Sequence, residues 1–355
     1  MQPRRVDSNS LLDRPPHTPS RLRPLAAGCA LGGLLVAMSV CALGLGPVAI
    51  GPGGVAASLA NHIFHTHIAV AADADAIVWS LRMPRVLVEI LVGASLATAG
   101  VAFQALLRNP LAEPYTIGVS SGASVGVGLV IVLGLSGALG GYAPAAAALA
   151  GAVITLLAVY ALSRIGGRVD VRSLLLSGVI AGAFLWAIQM LLFRLASKND
   201  DEILAWMMGS LSGVRWSDAA LLSVPTFAGV LALAMHARSM NLYSLGEDPA
   251  RHLGLEPEPF KAAMIFLGSL LTACTVAVAG IIGFVGLVVP HLSRSLAGTP
   301  DHRVVLPISL LGGALMVEIA DTTSRLAMGG EMLPVGAVTA LLGCPFFFYL
   351  LRRAK

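Results

Sequence analysis

The sequence predicts an all-α polytopic membrane protein, and three observations point there: composition, the length of the uncharged runs and the placement of the arginines. Apolar residues make up 56% of the 355 and charged residues only 12%, roughly half the charged share of a soluble domain. That density cannot coat a water-facing surface, but it can coat the ends of a bundle whose sides face lipid. Mean hydropathy is +0.83. Several runs reach the roughly 20 apolar residues needed to cross a hydrocarbon core about 30 Å thick. They are continuous rather than alternating, which favours helices over barrel strands.

Ten transmembrane helices are expected, near 25–46, 86–107, 117–135, 143–163, 173–193, 218–236, 262–280, 281–293, 304–321 and 333–351. Residues 1–24 are polar and rich in Arg and Pro, and read as a disordered cytoplasmic tail; 25–355 form the transmembrane domain, with a cytoplasmic loop at 237–261. The run from Leu25 to Ile50 exceeds the apolar core of a signal peptide and is taken as a first span. No charge falls between Glu113 and Arg164. That length fits two spans joined by a turn near Gly134, Gly137, Gly140 and Gly141. The stretch between Lys261 and Arg294 is also uncharged; Gly280, Gly283, Gly286 and Pro290 divide it into one full and one short span. With both termini cytoplasmic, this count puts Arg108, Arg164, Arg168, Arg172, Arg238, Arg251, Lys261, Arg294 and Arg303 inside. Only Arg82, Arg85, Arg194, Lys198, Arg215 and Arg325 fall outside, as the bias of basic residues toward the cytoplasm requires.

Composition and motifs exclude several functions. The net charge of +4 reflects loop arginines and carries no nucleic-acid signal. Cys29, Cys41, Cys274 and Cys344 all lie in apolar runs without metal-ligand spacing. The three lysines, Lys198, Lys261 and Lys355, do not follow glycines, so no phosphate-cradling loop of the ATPase type exists. Neither H-E-x-x-H nor a nucleophile–base motif of an intramembrane enzyme is present. An ion-coupled secondary transporter is the alternative reading, and it needs a mid-membrane acid; Glu318 is the one set deep enough. Glu89 and Asp321 lie one turn from Arg85 and Arg325 and can pair with them locally. Energy is therefore expected from a partner.

The loop at 237–261 offers a docking surface. Ser244 and Glu247 match a capping box, and Asp248 before Pro249 matches a helix start. Gly254 suits a left-handed helix end. Two short helices with a sharp bend are expected, with Gly246, Ala250 and Gly254 forming a smooth ridge. His62, His65 and His67 lie in an outer segment, NHIFHTH, whose spacing matches no standard metal motif; a solvated loop or interfacial helix is expected there. Met207 and Met208 are read as core, and His291 as packing a helix end.

Several runs resemble one family. They are LRMPRVLVEILVGASLATAGVAFQALLRNPLAEPYTIGVSSGAS from Leu81, WMMGSLSG from Trp206, GEDPARHLGL from Gly246, GIIGFVGLVVPHLSRSLAG from Gly280, DHRVVLP from Asp301, ADTTSRLA from Ala320 and LPVGAVTALLGCPFF from Leu333. In this order they resemble the permeases of binding-protein-dependent importers for iron-siderophores, haem and vitamin B12, the type II ABC importers. One departure is that two residues separate Glu331 from Pro334 where the pattern has one. The resemblance implies a homodimer in the bacterial inner membrane. Two cytoplasmic ATPases, which bind ATP and Mg, would dock on the short helices carrying Ser244, Gly246, Glu247, Ala250, Leu253 and Gly254. A periplasmic or lipid-anchored binding protein would meet Arg82, Arg85 and Arg325. An inner gate would fall at Val171, Arg172 and Ser173. The permease would hold no cofactor of its own, and the cargo would be a metal chelate.

Overall fold

The computed structural model describes residues 22–195, 206–327 and 333–353. Three helices open on a proline within their first two residues, at Pro52, Pro144 and Pro257, whose fixed φ and missing N–H suit a first turn. Helix α1 is Leu22–Gly44 and α2 is Pro52–Phe64. The third, α3, is a 36-residue helix, Ala72–Leu107. Next come α4 (Val119–Val132), α5 (Ala143–Leu162) and a two-rung hairpin of β1 (Arg164–Ile165) with β2 (Arg168–Val169). Then follow α6 (Val171–Leu195), α7 (Trp216–Met235), α8 (Ala237–Ser244), α9 (Glu247–His252), α10 (Pro257–Ala279), α11 (Val285–Ala297), α12 (His302–Ala327) and α13 (Val335–Arg353).

The chain is an all-α polytopic membrane protein. Helices α1, α3, α5, α6, α7, α10 and α12 are long and apolar enough to cross a membrane, and α4, α11 and α13 occupy the other three expected positions. Most boundaries moved by a few residues, but α3 begins at Ala72, 14 residues ahead of the expected start at 86. Leu22–Pro24 already belong to α1, so the tail is shorter than expected; residues 1–21, Lys198 and Glu331 lie outside the described residues. Helix α2 realises the helical alternative expected for the histidine segment but starts well before it, at Pro52. It carries His62, so the histidine segment is helical up to Phe64, and His65 closes it with φ 54°.

Helix α3 is the hub: most of its span is buried, whereas α1 and α6 are largely exposed. Its first part, Ala76–Arg82, is π-helical, and the widened turns precede Pro84, which has no N–H to donate. Two glycines let neighbours approach it closely. A Cβ on Gly93 would lie 2.1 Å from the Gly313 carbonyl oxygen of α12, and one on Gly100 2.0 Å from that of Gly286 in α11. Small residues at such crossings replace the hydrophobic driving force that lipid removes. We refer to the end of the bundle carrying residues 237–261 as the inner end and to the opposite one as the outer end.

Candidate functional site

At the outer end the three arginines expected to form a basic rim are instead buried. Arg82, Arg85 and Arg325 are 7%, 9% and 6% exposed. Asp321, fully buried, accepts from Arg85 Nε at 3.0 Å and Nη2 at 2.7 Å, and from Arg325 Nε at 2.9 Å. Glu89 lies 3.7 Å from Arg85 Nε. Arg82 donates to the carbonyls of Leu43 and Val48 at 2.7 and 2.5 Å, and Arg325 to those of Ala42 and Leu45 at 3.2 Å each. Those of Ala42 and Leu43 are carbonyls that the end of α1 leaves without intrahelical partners. The local pairs of Arg85 with Glu89 and of Arg325 with Asp321 thus exist, but a cross-link between α3 and α12 joins them into one cage. The expected exposed basic rim does not form: the guanidiniums face inward because charges in a membrane domain demand partners, and the hydrogen-bond partners named above are within the chain. Beside the cage, His62 stacks on Trp79 with ring centroids 4.3 Å apart and contacts Asp75 at 3.1 Å.

The inner loop forms the two short helices, with altered caps. Gly246, at φ 121°, is the N-cap of α9, so Glu247 opens the helix and Asp248 and Pro249 follow inside it. No capping box forms: Ser244 Oγ donates to the Asn241 carbonyl at 2.7 Å, and Glu247 turns to Arg251 at 3.3 Å and Lys261 at 3.5 Å. Gly254 is left-handed as expected, at φ 87°. The smooth ridge does not form, because Ala250 is fully buried. The outward surface comprises Ser244, Leu245, Asp248, Pro249, Arg251, His252, Leu253 and Gly254; both leucines are more than half exposed. Under the loop the Tyr243 hydroxyl is pushed up to about 12 by burial.

Two contacts that single-sequence patterns did not reveal tie this loop to the bundle. Lys261 is 2% exposed. Its Nζ lies 2.5 Å from Glu258, 3.5 Å from Glu247 and 2.7 Å from the Val169 carbonyl, to which it donates. Glu258 accepts in turn from the Val169 amide at 2.8 Å. One buried ammonium therefore joins α9 and α10 to the hairpin that leads into α6. Val171, Arg172 and Ser173, the expected gate, are the first residues of that helix. Asp170 caps it, accepting from the Ser173 amide at 2.8 Å, and this bond holds the Asp170 carboxyl below its usual range.

The second contact is a clasp on α8. Asn241 donates to Asp301 at 2.6 Å and accepts from the His302 amide at 2.9 Å, which fixes α8 to the start of α12. The Arg303 guanidinium, with Asn241 behind it, holds the Asp301 carboxyl down at about 2. A carboxyl depressed in the fold stabilises above its ordinary 3.8 and loses that contribution as pH falls toward 2. The melting gap between wild type and Asp301→Asn should therefore narrow across that window and close only below it. A gap that stays constant would remove the ionic part of this clasp.

Inside the bundle the chain is unwound between α10 and α11. Phe284 has φ 68°, its amide donates to Glu113 at 2.8 Å, and the Tyr115 hydroxyl bonds both polar groups of Ile282. Irregular backbone at membrane depth survives where protein groups satisfy it. Glu113 and Tyr115 belong to the NPLAEPYTIG run and were not singled out from the sequence.

Comparison with known proteins covers this whole arrangement. The profile of the FecCD transport family matches residues 34–353. The ABC transporter permease protein YvrB of Bacillus subtilis is 44% identical over 280 residues, covering 78% of this chain and 79% of that protein. The cobalamin import system permease protein BtuC of Halobacterium salinarum is 42% identical over 283 residues, covering 80% of this chain and 75% of that one. A solved structure described as an inward-facing metal-chelate type ABC transporter superposes with a TM-score of 0.80 at 31% identity, covering 92% of this chain and 98% of that one. A match from α1 to the last described helix, through the cage, the inner loop and the unwound segment alike, means that this chain belongs to the FecCD transport family and is an ABC transporter permease.

Proposed function

We propose that the protein is the membrane subunit of a bacterial inner-membrane importer, crosses the membrane ten times with both termini in the cytoplasm, and works as a homodimer. Relatives named for cobalamin and vitamin B12 import support a metal chelate as cargo, of the B12 or iron-siderophore class, with haem as a further candidate. Two ATPase subunits dock on the outward surface of α8 and α9, and a binding protein delivers cargo at the outer end. There it meets the exposed surface around the arginine cage, including Arg215, whose side chain is 60% exposed. The chain hydrolyses no ATP; it converts a push on α9 into movement of its own helices.

The observation that carries this reading is the buried Lys261 link, which runs from Glu247 in α9 to the hairpin ahead of Val171. A displaced α9 pulls on the entrance of α6 through a single ammonium. The test is reconstitution of the permease with the ATPase and binding protein from neighbouring genes, and assay of ATP-dependent uptake of cyanocobalamin and ferric siderophores. Failure of ATP to drive uptake of any chelate would falsify the importer reading.

Two substitutions sharpen it. Gly254 has open space where a Cβ would stand, yet its φ of 87° resists side chains. Gly254→Glu should leave insertion intact and lower ATP-driven uptake at least about tenfold, by obstructing the docked partner and straining a left-handed cap. Undiminished uptake would remove Gly254 from the docking surface. Glu318 is fully buried and its carboxylate oxygens have no hydrogen-bond partner among the described residues. An ion-coupled carrier would need it. Glu318→Gln should retain ATP-driven uptake within about twofold, and collapse of uptake in that variant would favour the ion-coupled reading.

A further inference from the structure

We infer that the inner end carries a binding site for the phosphate headgroup of an anionic membrane lipid. A cavity of about 880 Å³ opens there between the end of α3, the helix α8, the last turn of α11 and the start of α12. Arg108 and Arg294 line it. Arg294 is half-buried and donates to the Gln104 side-chain oxygen at 2.6 Å; Arg108 lies over the Tyr243 ring, 5.6 Å from its centroid. Neither guanidinium has a carboxylate within ion-pair distance among the described residues. The lining acid, Asp301, is already bound by Arg303 at 2.8 Å and by Asn241 at 2.6 Å. Gln104 is held in place by its own donations to the Gly286 and Leu287 carbonyls at 3.2 Å each, so it cannot neutralise Arg294.

The balance of charge favours an anion. The ends of α3 and α11 each bring about half a negative charge, and the start of α12 brings about half a positive one. Two full guanidinium charges outweigh that sum.

Position selects a lipid as the source of the anion. Arg23, the second residue of α1, donates to the carbonyls of Ser295 and Leu296 at the cavity rim, at 2.9 and 3.1 Å. Around it Leu22, Leu25 and Leu296 are exposed apolar side chains on the lipid-facing side. A headgroup in the cavity would therefore leave its acyl chains against α1. Basic pockets between helices at the cytoplasmic face recognise anionic headgroups in this way. The inference rests on the membrane fold alone and on no step of transport.

The test is native mass spectrometry of the full chain in detergent, titrated with phosphatidylglycerol, phosphatidylcholine or inorganic phosphate. Wild type should retain phosphatidylglycerol and not phosphatidylcholine, and Arg108→Gln/Arg294→Gln should weaken retention roughly 30-fold, from about 1 kcal/mol for each cation. Ser295→Glu, at the rim and outside the Gln104 contact, should expel the lipid while the chain still melts like wild type, which covers the case of a double variant that fails to fold. Equal phosphatidylglycerol retention in Ser295→Glu, retention of phosphatidylcholine to the same degree, or complete displacement by excess inorganic phosphate would each overturn the lipid assignment.

Discussion

Replacing Asp321 by Asn should lower the melting temperature of the detergent-solubilised protein by about 10 °C. Asp321 is fully buried and is the shared acceptor of Arg85 and Arg325, each of which is less than a tenth exposed. An amide keeps the shape but removes the charge, leaving two guanidiniums in a low-dielectric interior. Breaking a buried pair in this way costs about 3–5 kcal/mol, and a domain of this size loses about 2–4 °C per kcal/mol. Paired removal gives the control. Asp321→Asn with Arg85→Met deletes one donor together with the charge it needs, and should recover part of the loss, since a matched apolar replacement of a buried pair is often close to neutral. Thermal unfolding followed by tryptophan fluorescence decides it. An Asp321→Asn protein melting within about 2 °C of wild type would show that water or lipid headgroups already satisfy the arginines.

Replacing Lys261 by Met should separate ATP hydrolysis from uptake. The side chain is of similar length and stays apolar, so packing is retained. What disappears is one ammonium contacting Glu258, Glu247 and the Val169 carbonyl. Loss of a charged hydrogen bond costs about 1.5–3 kcal/mol, and Glu247 and Glu258 then repel each other across the gap. The link from α9 to the head of α6 is cut, while the surface of α9 seen by the ATPase is unchanged. Basal ATPase activity should persist, its stimulation by loaded binding protein should fall, and uptake should drop at least about tenfold. Lys261→Arg keeps the charge and should recover part of the uptake. Lys261→Met with Glu258→Gln removes the repulsion without restoring the link, so stability should return and uptake should not. Recovery of uptake in that double variant would assign Lys261 to stability alone.

What was legible in the sequence follows from how far apart the determinants lie. The uncharged runs located the seven helices long enough to cross a membrane and the three shorter ones α4, α11 and α13, because lipid imposes apolarity on each segment by itself. The break between α10 and α11 was visible in Gly280, Gly283 and Gly286 for the same local reason. Gly254 was legible because a left-handed helix end favours a particular residue. The altered cap of α9 was not, since Ser244, Gly246 and Asp248 all offer plausible starts and packing of Ala250 decides among them. The start of helix α2 was hidden by Gly53 and Gly54 behind its opening Pro52. The arginines misled because a cation near the outer end of a span looks solvated when its partner is 236 residues away, as Asp321 is from Arg85. Lys261 and Val169 are 92 residues apart, and Asn241 and Asp301 are 60. No periodicity spans such distances, so neither the local patterns nor the family resemblance showed the contacts that join the inner loop to the bundle.

The separation of Arg85 from Asp321 also dictates an order of biogenesis. At about 5–20 residues per second, the ribosome reaches Asp321 some 12–47 s after Arg85. During that interval Arg82 can already use the carbonyls of α1, the preceding helix, whereas Arg85 has only Glu89, one turn along its own helix. That pairing lets α3 enter the bilayer as a nearly neutral segment and wait. The arrival of α12 then closes the cage over both arginines and the end of α1. Nascent chains ending before Asp321 should accordingly expose α1 to protease or quality-control recognition, and those extending past Arg325 should not.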